Sequence, residues 1–184
     1  LPAKIAGYAK CKYTLKKAFM GFILWSDTNS QTVEEIEQNE ALIYELYHHV
    51  AKNAPFNSFF LSQNHFSNLK KIWKDHFLFY GYFLNEKLIG FNTLIKNGDT
   101  MDTYFLGYDE TIQREKMLYL NMLYDMIAYS INKGFKEIIF SRTALEIKSS
   151  VGAKPMEMFG FMEHSNSKIN KHVPKIFPKL EPEI

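Results

Sequence analysis

Cysteine is almost absent from this chain of 184 residues: Cys11 stands alone. No internal disulfide can form, and a zinc site of four cysteines is excluded. Arginine is nearly as scarce, with Arg114 and Arg142 set against 20 lysines. Arginine grips phosphate and carboxylate through a planar fork that lysine lacks, so a chain built to read nucleic acid would not economise on it. No apolar run approaches the roughly 18 residues of a membrane-spanning helix. There is no H-E-x-x-H, no G-x-S-x-G and no Walker loop, and the six histidines show no metal-ligand spacing. His48 and His49 are adjacent and would point apart on a helix. No repeat and no Gly/Ser-rich or Pro-rich linker divides the interior. A lone cysteine fits a reducing compartment, and a cytoplasmic location is the expectation.

The chain does have core material. It is 46% hydrophobic and 16% aromatic, which excludes a disordered or low-complexity chain, and its length suits one domain. The net charge of +2 is too small to argue for a polyanionic partner. Charge is nonetheless segregated. Residues 1–26 carry five lysines and no acid, and residues 27–46 carry six acids and no base. The basic stretch reads either as an arm for an anionic partner or as a solvated helix face. Leu1 rather than Met stands first, so a longer parent protein is expected.

Periodicity predicts the elements. Ile5–Phe19 suits a helix and Met20–Trp25 a strand. Thr32-Val33-Glu34-Glu35 matches a capping box, and Val33, Ile36, Ile43, Tyr47 and Val50 recur behind it at helical spacing. That helix ends before Pro55. His65–Trp73 is a shorter helix that buries Phe66, Leu69 and Trp73. Phe77–Leu84, Leu88–Lys96 and Thr100–Tyr108 form an antiparallel meander, with turns at Asn85-Glu86-Lys87 and at Asn97-Gly98. A long helix, Thr111–Lys133, stops at Gly134. Glu137–Phe140 is a short buried strand, parallel to its predecessor through a right-handed crossover. Ala144–Val151 is a helix stopped by Gly152, and Met156–Met162 is a last strand. Pro174, Pro178 and Pro182 forbid a continuous helix in Ser165–Ile184, which reads as an extended tail. The class is α/β or α+β with a mixed sheet.

This order resembles the GNAT acyltransferase fold over Met20–Glu163. The segment Phe140–Pro155, with Ile147-Lys148, Gly152 and Pro155, is similar to the CelD/BioF-like acyltransferase domains, relatives of the FemABX aminoacyltransferases. Leu106-Gly107-Tyr108-Asp109 resembles the end of their meander, and Tyr13–Ala18 a basic helix that links two GNAT-like halves. The resemblance implies three parts: residues 1–19 as a linking helix, 20–163 as a GNAT-like domain, and 164–184 as the tail. It also implies a wedge between the third meander strand and the parallel strand, where an acyl donor lies, and a missing N-terminal GNAT-like half.

The resemblance implies an N-acyltransferase that takes its acyl group from acyl-CoA or aminoacyl-tRNA. The acceptor would be an amine on a small molecule or cell-envelope precursor. The alternative is an inactive half that holds substrate or docks a partner. One departure favours the alternative. Related acetyltransferases place a glycine-rich loop before the long helix, whereas Asp109–Met117 contains no glycine. Gln113 and Arg114 are the donor-binding candidates there, and Asp109 and Glu110 would repel an anion. Acyl transfer to an amine needs a base, oxyanion donors and an acid. Glu146, just past the parallel strand, is the base candidate; an ion pair with Arg142 at i,i+4 is its competing reading. Arg142 and Lys148 are candidates for an anionic substrate group. Tyr104 and Tyr108 are expected on one strand face, as general acid or acceptor lining, with plain core packing as the competing reading. Asn92, polar within an apolar strand, is a candidate donor, and no metal is expected.

Overall fold

A computed structural model describes residues 24–25, 30–53, 57, 59–141, 144–156 and 165–172. Expectations for the 1–19 helix, Cys11, Arg142, the 157–162 strand and the C-terminal prolines lie outside these residues. The described residues fall into two compact units, divided between Ala153 and Lys154.

The first unit is a five-stranded sheet whose strands neighbour one another in chain order. β1 (Leu24–Trp25), β2 (Phe77–Leu84), β3 (Lys87–Asn97) and β4 (Thr100–Tyr108) are antiparallel, and β5 (Glu137–Ile139) runs parallel to β4. The hairpins follow from local chemistry. Asn85 and Glu86 both adopt positive φ, 49° and 63°, the handedness a two-residue turn needs to match strand twist. The second turn sits one residue later than expected: Asn97 still pairs with Thr100, so Gly98 and Asp99 make the loop, with Gly98 at φ 58°.

The acidic stretch after residue 26 contains α1 (Val33–Gln38) and α2 (Glu40–Ala51) rather than one helix. The capping box is present: the Thr32 N–H donates to Glu35 Oε2 at 2.7 Å, and the Glu35 N–H to Thr32 Oγ1 at 3.3 Å. The break falls at Asn39 (φ −107°, ψ 9°), whose side chain donates to the Glu35 carbonyl at 2.9 Å. An amide that competes for backbone in this way favours helix ends over interiors. α3 (His65–Trp73) has the expected bounds, but only part of its expected face is buried. Phe66 is enclosed while Trp73 is 42% exposed.

Strand alternation sorts two apolar layers onto opposite faces of the sheet. Phe77, Phe79 and Phe91 face Ile36, Ile43, Leu46, Tyr47 and Phe66. Leu78, Tyr80, Tyr82, Leu94 and Met101 face Leu118, Met122, Leu123 and Met126. Each fully enclosed large side chain stabilises the fold by about 1.5–3 kcal/mol. Gly107 lets α2 lie directly on β4. A Cβ there would stand 2.5 Å from the Leu46 backbone carbon and 2.6 Å from the Tyr47 nitrogen.

The expected long helix is broken. A single turn, α4 (Gln113–Lys116), is followed by α5 (Leu118–Asn132), with Met117 between them in the left-handed region at φ 50°, ψ 37°. Asn121 Nδ2 donates to the Lys116 carbonyl at 3.0 Å and ties the two pieces together. α5 stops where expected: Gly134 has φ 78°, and the N–H groups of Gly134 and Phe135 close on the carbonyls of Ile131 and Ser130. β5 is an edge among the described strands rather than a buried strand, and Ile139 is 49% exposed. α6 (Leu145–Ser150) follows, entered through Ala144 at φ 56° and left through Gly152 at φ 93°. In the second unit Ser167–Asn170 forms one helical turn, α7, within the stretch expected to be extended. The Asn166 side chain caps it, accepting from the Lys168 N–H at 2.9 Å.

Candidate functional site

β4 and β5 share only a short ladder: Thr100 pairs with Glu137, Met101 with Ile138 and Asp102 with Ile139. Beyond Asp102, β4 runs on to Tyr108 without a partner on that side among the described residues. The expected wedge falls at this stretch, between β4 and the residues that follow β5.

Within that stretch β4 carries a bulge. Asn92 pairs with Leu106 and Leu94 with Thr103, so Tyr104 and Phe105 stand opposite Thr93 alone. Thr93 Oγ1 donates to the Phe105 carbonyl at 2.5 Å, which gives the displaced backbone a partner. The extra residue reverses the alternation, so Tyr104 and Tyr108 do not share a face. Tyr108 lies on the α5 side with its ring 6.3 Å from that of Tyr119. Tyr104 lies on the α3 side, where His65 Nε2 is 3.1 Å from its hydroxyl and the two rings are stacked. Burial raises both phenols above their ordinary range, with Glu110 adding to the effect at Tyr108 and Tyr47 at Tyr104. Burial lowers the His65 imidazole below 6.5.

Asn92 does not face solvent; it is fully enclosed. Its Nδ2 donates to the Tyr82 hydroxyl at 2.8 Å, and that hydroxyl donates to Asp125 Oδ2 at 3.3 Å. Asn92 Oδ1 has no hydrogen-bond partner. The polar chain therefore links β3, β2 and α5 beneath the sheet.

At the helix entry, Gln113 is half-buried and Arg114 exposed. α5 begins without a side-chain cap. The two acids expected to repel an anion are engaged. Asp109 Oδ1 accepts from the Thr111 N–H and Oγ1 at 2.9 and 2.6 Å, and Glu110 accepts from Lys52 Nζ at 2.8 Å. Burial pushes the Asp109 carboxyl up, but the Thr111 hydrogen bonds outweigh it and hold the group below its usual range. Lys52 does the same for Glu110.

Past β5, Glu146 is exposed on the first turn of α6. Lys148 is only 5% exposed, which excludes a solvated lysine. Its Nζ donates to the Ser141 carbonyl at 2.6 Å, so α6 is fastened to the exit of β5. Burial lowers its pKa to about 8. The structure thus gathers Lys148 and Glu146 on one short helix and Tyr104, Tyr108 and Asn92 on two neighbouring strands. No group of three or more His, Cys, Asp or Glu able to hold a metal occurs among the described residues.

Sequence reasoning missed His65. Its partner Tyr104 lies 39 positions away, and a histidine at the start of an amphipathic helix carries no local signal of such a contact.

No protein-family model matches the sequence, and comparison with curated proteins finds no match. Solved structures do match. An acetyltransferase from Trypanosoma brucei has TM-score 0.53 at 15% identity, covering 77% of this chain and 98% of its own. Glucosamine-6-phosphate N-acetyltransferase from Arabidopsis thaliana has TM-score 0.53 at 8% identity, covering 78% and 99%. The PaiA N-acetyltransferase from Thermoplasma acidophilum, in complex with coenzyme A, has TM-score 0.51 at 16% identity, covering 70% and 84%. At such identities the likeness is one of architecture. The mixed sheet and the helices on both its faces are those of the GNAT acetyltransferase fold.

Proposed function

We propose that this chain is an N-acyltransferase domain that moves an acyl group from an acyl-CoA thioester to a primary amine. The observation that supports it most is the run of β4 beyond Asp102 that has no strand partner on that side among the described residues. An extended donor arm can add to such an edge through backbone hydrogen bonds. An acyl carbonyl held against a backbone N–H there gains a donor for its developing oxyanion. The uncapped start of α5 offers free N–H groups for the diphosphate of the donor, with Gln113 and Arg114 beside it. Because Glu110 is paired with Lys52, its charge is less costly to an incoming anion than the sequence suggests, whereas Asp109, held by the neutral Thr111, keeps its charge.

In this reading Tyr108 is the acid that returns a proton to the departing thiolate. Glu146 and Tyr104 compete for the role of base. Arg142 and Lys148 hold an anionic group of the substrate, and the Asn92 amide orients the acceptor side through the buried polar chain. The local signature around Ile147-Lys148, Gly152 and Pro155 supports a CelD/BioF-like, FemABX-related enzyme. Its acceptor would be a cell-envelope precursor amine and its partner an N-terminal GNAT-like half, with aminoacyl-tRNA as the other donor to try.

Calorimetric titration with acetyl-CoA, followed by a thiol-release assay with glucosamine 6-phosphate and spermidine, tests the proposal. Binding in the micromolar range and amine-dependent thiol release are expected. No binding and no release would overturn it in favour of a substrate-holding or docking half. The glycine-free turn at α4 favours that second reading.

A further inference from the structure

We propose that His65 positions Tyr104 and takes up its proton, so that the Tyr104 hydroxyl serves the acceptor amine as its base. The inference rests on the acyltransferase reading and assigns, between the two competing groups, which one accepts the proton.

The bulge moves Tyr108 to the α5 face. Tyr104, two residues past the last β4–β5 pair at Asp102, keeps the α3 face that regular alternation from Met101 gives it. There it meets His65 in the first turn of α3, with Nε2 and Oη 3.1 Å apart. Ring stacking at a centroid distance of 5.9 Å and 25° fixes the orientation. Phe66 and Phe77 meet the two rings edge-on and limit their rotation. Both residues remain half-buried rather than sealed. Glu146, in contrast, is exposed on the first turn of α6.

The protonation state suits the task. Burial is the sole cause of the lowered imidazole pKa, so His65 is neutral at pH 7 and can accept a proton. Tyr104 on β4 and Tyr47 on α2 are the titratable neighbours. Several charged groups on the packed elements are engaged elsewhere. Glu37 pairs with Lys71, Glu40 accepts from Ser67, Lys70 donates to the Phe77 carbonyl and Asp102 accepts from Asn97.

The step balances. The amine nitrogen attacks the thioester carbonyl, and its N–H bond breaks towards Tyr104 Oη. The original Tyr104 O–H bond breaks towards His65 Nε2, leaving an imidazolium with both nitrogens protonated. The C–S bond then breaks, the thiolate takes the Tyr108 hydroxyl proton, the imidazolium gives its own to water, and water returns one to Tyr108. This requires neutral His65 to carry its hydrogen on Nδ1.

Two measurements on the full chain test the relay. Long-range nitrogen–proton NMR at pH 7.5 reads the His65 tautomer without any turnover; the Nδ1–H form is expected, and Nε2–H overturns the relay. The pH profile of acetyl-CoA turnover with spermidine or glucosamine 6-phosphate is then compared between wild type and His65→Gln. Glutamine keeps a hydrogen bond to Tyr104 but cannot titrate. Wild type should lose activity as pH falls below 6.5. In H65Q that acid limb should vanish while turnover at pH 7.5 drops about a hundredfold, a usual contribution of a positioned acid–base group. A limb that persists in a folded H65Q overturns the relay and leaves the acyltransferase reading intact. Absence of binding and turnover in wild type, whatever the tautomer, overturns the reading on which the relay rests.

Discussion

Thr93 Oγ1 donates its hydrogen bond to the carbonyl of Phe105, across the point where β4 carries one residue more than β3. A bulge leaves backbone groups out of the ladder, and a buried carbonyl without a partner costs about 1–3 kcal/mol. Thr93 is 1% exposed, so its hydroxyl serves this bond rather than water. Thr93→Val keeps shape and β propensity but removes the donor. It should lower unfolding free energy by about 1–3 kcal/mol in urea melts. The loss should be smaller for Thr93→Ser, which keeps the hydroxyl.

Gly107 is the point of closest approach between α2 and β4. A methyl group there would overlap the backbone of Leu46 and Tyr47, which cannot rotate away as a side chain would. Gly107→Ala should destabilise by at least the 1–3 kcal/mol typical of overpacking. Gly98→Ala meets no atom within 4 Å, and its cost comes only from the positive φ. Thermal melts of the two variants should rank Gly107→Ala as the worse.

The buried chain Asn92–Tyr82–Asp125 should behave as one unit. Tyr82→Phe removes the hydroxyl that both other members use. Burial first, and then Asp125, holds that phenol far above its ordinary pKa, so it stays neutral throughout the working range. A double-mutant cycle with Asn92→Leu should give a coupling of about 0.5–3 kcal/mol. Additive effects would show that the members act independently.

Lys148 makes a pH-dependent contribution of known sign. Its folded pKa of about 8 lies below the ordinary 10.5. Between those values the unfolded chain binds more protons than the native one, so this residue's contribution to stability rises with pH. The stability of wild type relative to Lys148→Met should therefore increase from pH 7.5 to 9.5, as read by urea titration at each pH. A constant difference would mean that Lys148 keeps its ordinary pKa in the fold.

Much of the architecture was legible because it is written locally. The bounds of α3 and β2, the capping box at Thr32, the stop at Gly134 and the meander all follow from spacing and turn chemistry over a few residues. The breaks at Asn39 and Met117 were not legible. They arise from side-chain amides reaching backbone carbonyls and from packing on the sheet, and apolar periodicity continues across both.

The candidate site divides in the same way. Residue types and order alone determined that β4 and β5 would be parallel neighbours joined by a long crossover, with Glu146 and Lys148 just beyond. Only the tertiary structure decided which way each of those groups faces. A bulge opposite Thr93 put Tyr104 and Tyr108 on opposite faces, and His65 met Tyr104 across a gap of 39 residues. Strand parity is a sum over every residue in the ladder. One extra residue reverses everything after it, and only the pairing of one strand with its neighbour reveals that it is there.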